Sequence, residues 1–183
     1  MLKKISKKEA QALEKRLSYH RRLVWDELSS EEGEKVWELS EDYKAFLNAS
    51  KTERETIAEI AQRLTRAGFI NLDHSNPKGK VFQVLKDKVL VLAIPGKEPL
   101  SAGMQIIASH VDAPRLDLKQ HPLYEEVDLA FLKTHYYGGI KKYQWLARPL
   151  ALHGTILTAG NKKINLAIGE KDQDPVFSVA DLL

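Results

Sequence analysis

Cysteine is absent from the 183 residues. That excludes a disulfide framework and a thiolate metal site, and leaves His, Asp and Glu as the only side chains able to hold a metal. Long apolar runs are missing too. The longest, residues 89–94, lies between Lys88 and Pro95 and falls far short of the roughly 20 residues that cross a bilayer. No membrane partner is expected. The start, Met1-Leu2-Lys3-Lys4-Ile5-Ser6, is basic but leads into Lys-rich and Glu-rich chain where a secretory signal would place its apolar core. A cytoplasmic location is therefore expected. Neither sign of charge dominates: 28 basic residues face 25 acidic ones, a net charge of +3. The small excess is gathered near the amino terminus, too little to argue for a nucleic-acid partner.

What is present is the make-up of a globular chain able to bury a core, with 43% hydrophobic and 29% charged residues. Ser6-Lys7-Lys8-Glu9 reads as a capping box, and Ala10, Leu13 and Leu17 recur at helical spacing behind it. A second helical stretch carries Val36, Trp37 and Leu39 and runs on to Tyr43, Phe46 and Leu47; Trp25 and Trp37 are expected as core anchors. A third begins at the capping box Thr52-Glu53-Arg54-Glu55, continues through Ile57, Ile60, Ala61 and Leu64, and meets Gly68 where a left-handed residue would end it.

From Phe69 the pattern changes. Asn76-Pro77-Lys78-Gly79 signals a turn, and residues 81–85 and 89–94 are strand-like runs that would form a hairpin around Lys86-Asp87-Lys88. A further apolar run, Met104-Gln105-Ile106-Ile107-Ala108, ends in Ser109-His110. Helices followed by buried strands predict an α/β layer with a central mixed sheet. Beyond Pro114, residues 116–118, 129–134, 145–153, 155–157 and 164–168 are strand-length pieces separated by Gly, Pro, Asn and charge, so an antiparallel β-rich module is expected there.

The chemistry is concentrated in Ser109-His110-Val111-Asp112-Ala113-Pro114. An apolar strand running into His-x-Asp delivers an imidazole at the strand's carboxyl end, where α/β sheets place their ligands. Residues at i and i+2 of an extended segment point the same way, so Asp112 can accept from the ring nitrogen that does not bind metal, fixing the tautomer. On three residues alone the plainer reading is a loop histidine hydrogen-bonded to a nearby carboxylate.

Over a longer span, His110-Val111-Asp112-Ala113-Pro114-Arg115-Leu116-Asp117-Leu118-Lys119, then Tyr136-Tyr137-Gly138-Gly139-Ile140, then Trp145-Leu146-Ala147-Arg148-Pro149-Leu150-Ala151-Leu152-His153-Gly154 resembles the aspartyl aminopeptidase and aminopeptidase I family of two-metal exopeptidases, especially its bacterial branch. The resemblance implies the amino-terminal part of an α/β/α zinc-peptidase domain over residues 1–114. An incomplete antiparallel β-rich dimerisation domain would follow over residues 115–183. It also implies two divalent cations per complete subunit, usually zinc, a water that they activate, a peptide substrate and a homo-oligomer built from dimers, up to a dodecamer. His110 takes the role of metal ligand and Asp112 that of the catalytic-site carboxylate that orients it. The family's remaining ligands and general base have no match here, so the stretch alone is expected to be catalytically incomplete. Around Trp145 the chain departs from the pattern, with Ala147 and Pro149 where many relatives carry acidic residues.

Other features have plainer readings. Tyr136-Tyr137-Gly138-Gly139 is a substrate-approach loop or, more simply, a bulge or tight turn. His121, His135 and His153 are expected to be surface or packing residues without a role. Lys141-Lys142 with Tyr143 and Trp145 reads as a solvated strand edge. A different functional class stays open beside the peptidase: a non-catalytic self-association module in which the His-x-Asp pair is vestigial. A nucleic-acid-binding α+β protein rests only on the mild basic excess.

Overall fold

The computed structural model describes residues 6–19, 21–73 and 79–180. Of the turn signal at Asn76-Pro77-Lys78-Gly79, only Gly79 lies inside the described residues. The chain forms two compact units, one up to Ala45 and one from Phe46 onward.

In the first unit, helix α1 (Lys7–Leu17) starts on the expected capping box: Ser6 accepts from the Glu9 amide while Glu9 accepts from the Ser6 amide. Helix α2 (Val24–Glu27) is a single turn, and α3 (Ser30–Ala49), which continues past the end of this unit at Ala45, begins where Ser29 and Glu32 exchange hydrogen bonds in the same reciprocal way. Trp25 and Trp37 are not core anchors in this unit. Their rings lie 6.3 Å apart, tilted against each other, yet both stay largely exposed.

The second unit is organised by α4 (Glu53–Arg66). Thr52 caps it by accepting from the Glu55 amide, and the C-terminal end closes as a full Schellman motif. Phe69 N–H bonds to the Leu64 carbonyl, Gly68 N–H to that of Thr65, and Gly68 sits at φ +80°. The capping box is only half made. The Glu55 carboxylate does not return to the Thr52 amide: one oxygen takes the Thr52 hydroxyl and the other leaves for His153.

Helix α4 covers a three-stranded mixed sheet in the order β1–β2–β3. Strand β1 (Ile70–Asn71) runs parallel to β2 (Val81–Leu85), which pairs antiparallel with β3 (Val89–Ala93) in the expected hairpin. Lys86 and Asp87 both take positive φ at its tip, the backbone a tight hairpin turn demands. The apolar core lies at this helix and sheet, where Ile57 and Phe82 are each only 3% exposed.

The apolar run at Met104 does not become a strand. Among the described residues, 103–114 carry no paired strand, and Ile107 is 98% exposed.

From Arg115 onward the described strands pair only as antiparallel ribbons. Strand β4 (Arg115–Glu126) pairs with β5 (Leu129–Tyr137), and β6 (Leu152–Leu157) pairs with β7 (Lys163–Ile168). β4 is far longer than the expected 116–118. Its register slips between Leu118 and Leu123, at His121 with φ +50° and Pro122, which has no amide to donate. The piece predicted at 145–153 is mostly not a strand: Lys142–Gln144 forms a 3-10 turn, and Leu146 and Leu150 make isolated bridges to Val179 and Phe177. Lys142 accordingly sits on this turn and over the Tyr136 ring, 5.5 Å from its centre, and not on a strand edge.

Candidate functional site

His110 stands in the unpaired segment just ahead of β4, with its side chain 84% exposed. Its Nδ1 lies 2.8 Å from Asp112 Oδ1 and 3.2 Å from the Asp112 carbonyl oxygen. Both neighbours are acceptors, so Nδ1 carries a proton, and in the neutral ring the lone pair is then on Nε2. The predicted contact between residues two apart is therefore made, with the geometry that prepares an imidazole to bind a cation.

Asp112 is held from a second direction. The Tyr137 hydroxyl donates to Asp112 Oδ2 at 2.6 Å. This hydrogen bond, and then the one from His110, holds the Asp112 carboxyl below its usual range, while the same contact raises the Tyr137 phenol above its own. At neutral pH the pair is a carboxylate and a neutral phenol, the form in which the hydrogen bond is charge-assisted.

The Tyr137 ring is fixed in turn. In the β4–β5 register Arg115 lies directly opposite Tyr137, and its guanidinium sits over the ring, 4.1 Å from the centroid. That guanidinium bonds Asp117 Oδ1 at 2.7 Å, Glu53 Oε1 at 2.9 Å and the Ala113 carbonyl at 3.4 Å. Gly138 follows at φ +71°, with a Cβ at that position falling 3.6 Å from Pro114. The glycine turns the chain away at the end of β5, as the tight-turn reading expects. A continuous chain of contacts thus runs from the His110 imidazole through Asp112, Tyr137 and Arg115 to Glu53 at the start of α4.

His153, expected to have no role, is the other polar centre. Its Nδ1 is 2.8 Å from Glu55 Oε1 and its Nε2 2.8 Å from Glu170 Oε1, with the side chain only 12% exposed. Burial alone pulls the imidazole's pKa down, but the hydrogen bonds to Glu55 and then Glu170 overcome it, and the net direction is up. Because both ring nitrogens are engaged by carboxylates, the residue is a clasp between α4 and the β6–β7 ribbon, not a ligand waiting for metal. His121 and His135 join neither centre; His135 stacks on Tyr136, ring centres 5.2 Å apart.

The donor set decides what metal chemistry these residues can support. Nitrogen from a neutral imidazole backed by a carboxylate suits zinc. Among the described residues, however, no group of three or more His, Cys, Asp or Glu converges on one point. The His110 and Asp112 pair fits one corner of a zinc site.

Comparison with known proteins gives the chain a family. The family described as Aminopeptidase I zinc metalloprotease (M18) matches residues 46–183, the bounds of the second unit. A probable M18 family aminopeptidase 1 of Clostridium acetobutylicum is 44% identical over 167 residues, covering 87% of this chain and 36% of that protein. The crystal structure of aminopeptidase I from Borrelia burgdorferi B31 superposes with a TM-score of 0.80 at 42% identity, over 86% of this chain and 40% of that one. The M18 family aminopeptidase structure from Thermotoga maritima gives 0.79 at 38% identity, over 91% and 37%. The chain spans less than half the length of each of these relatives.

Proposed function

Because the chain belongs to the Aminopeptidase I zinc metalloprotease (M18) family, we propose that it forms part of a metal-dependent aminopeptidase that releases amino-terminal residues from peptides. In this reading His110 is a zinc ligand through Nε2 and Asp112 is the carboxylate that orients it. The observation that carries it is the 2.8 Å contact between Nδ1 and Asp112 Oδ1 on a ring that is otherwise open to solvent. The remaining ligands and the general base would come from the part of the relatives' length that this chain does not span.

When bound, a pair of zinc ions would supply Lewis acidity toward the scissile carbonyl, a lowered pKa for the attacking water, and an anchor for the substrate's free amine. This chain's own residues contribute orientation. Asp112 accepts the Nδ1 proton and increases the basicity of Nε2; Arg115 and Glu53 tie the segment around the ligand to α4.

The β-rich part from Arg115 onward is inferred to be a dimerisation domain, with the boundary at Pro114 supported by the change from helix-covered mixed sheet to antiparallel ribbons. A homo-oligomer, dimer-based and up to a dodecamer, is the assembly inferred with it. The cytoplasm is the inferred compartment; no described helix is long and apolar enough to cross a membrane.

The test is His110→Ala in the full-length protein. Activity on a peptide with a free amino terminus should be abolished and zinc content by elemental analysis should fall; unchanged turnover and metal content would defeat the assignment.

A further inference from the structure

Asp112 can hold the His110 tautomer only if the carboxylate itself stays in place. Among the described residues, 103–114 make no paired strand, and the Asp112 side chain is 33% exposed. A short side chain on such backbone has free rotamers unless another element restrains it. The restraint comes from the end of β5, where the Tyr137 hydroxyl meets Asp112 Oδ2 at 2.6 Å, leaving Oδ1 for His110. The phenol has its own restraint in the Arg115 guanidinium 4.1 Å from its ring centre, and Arg115 is secured by Asp117 and Glu53.

We infer that Tyr137 is a positioning residue for the His110 ligand. Its hydroxyl fixes Asp112 so that His110 keeps its proton on Nδ1 and presents an unprotonated Nε2 to the cation. The inference deepens the zinc-ligand reading of His110 and rests on it. It also gives the β4–β5 ribbon a part in the metal site: a residue at the end of β5 orders a side chain that precedes β4, so anything that displaces the ribbon loosens the ligand. Tyr137 acts through Asp112.

Tyr137→Phe removes the hydroxyl and keeps the ring under Arg115. In the full-length, metal-free protein labelled with 15N-histidine, the neutral His110 ring should shift from the Nδ1–H form toward the Nε2–H form that free imidazole favours, with His110→Ala identifying the signal. Zinc affinity, measured by competition with a chromophoric chelator, should fall roughly 3-fold to 10-fold, less than the roughly 10-fold to 100-fold of a ligand's direct partner, because Tyr137 acts one contact further away. Tyr136→Phe, one position away and outside the network, should change neither.

An unaltered tautomer together with unaltered zinc affinity in Tyr137→Phe overturns the inference. If that variant lowers the unfolding temperature of the metal-free protein, Arg115→Met decides: it frees the ring but keeps the hydroxyl, and should move both readouts in the same direction by less. No movement there also overturns the inference. Failure of the underlying reading looks different, since His110→Ala would then retain its zinc whatever Tyr137→Phe does.

Discussion

Asp112 is where a short sequence pattern and a distant side chain meet. Its contact with His110 follows from spacing, because residues two apart on non-helical, extended backbone share a side. Its contact with Tyr137 does not, because 25 residues and a ribbon turn separate the two. The Tyr136-Tyr137-Gly138-Gly139 motif drew notice for its glycines, yet the atom that reaches Asp112 is the tyrosine oxygen in front of them. Asp112→Asn keeps the size of the side chain and weakens its hold on Nδ1–H, so zinc affinity or activity of the full-length enzyme should fall roughly 10-fold to 100-fold. A titration of zinc binding that overlays the wild type would show that the carboxylate charge is irrelevant to the ligand.

At the scale of elements, α4 is held at both of its ends. Gly68 holds the Schellman closure at φ +80°, and a Cβ there would meet nothing within 4 Å. Gly68→Ala therefore costs backbone strain and no clash, about 1 kcal/mol of stability, readable as a lower denaturant midpoint at constant slope. A substitution that left the midpoint in place would mean the closure is made some other way. The His153 clasp ties α4 to β6 and to Glu170, two residues past β7, through its contacts with Glu55 and Glu170. Its native pKa is raised, so protons bind the folded form more tightly than the unfolded one. The stabilisation is complete below the unfolded value of about 6.5 and is lost as pH rises through the higher folded value. The stability difference between wild type and His153→Gln should be largest under mildly acidic conditions and shrink toward alkaline pH; a difference that stays flat or widens on the alkaline side rules the clasp out. Nothing local announces it, since Glu55 lies 98 residues away and was expected to close a capping box.

Across the whole molecule, local order could be read from the chain and long-range pairing could not. Capping at Ser6 and Thr52, the left-handed glycine after α4, the hairpin at Lys86-Asp87-Lys88 and the His110 and Asp112 contact each depend on a few consecutive dihedral angles and short-range hydrogen bonds, which residue type alone sets. The sequence determined these by itself, along with the family resemblance carried by its motifs. Tertiary structure alone decided that β4 runs on through a register shift to Glu126, and that Tyr137 and His153 find carboxylates from other elements. Those outcomes depend on strand register and on which surfaces meet, and register is set by the turns and packing of the whole ribbon, not by the residues that end up in contact.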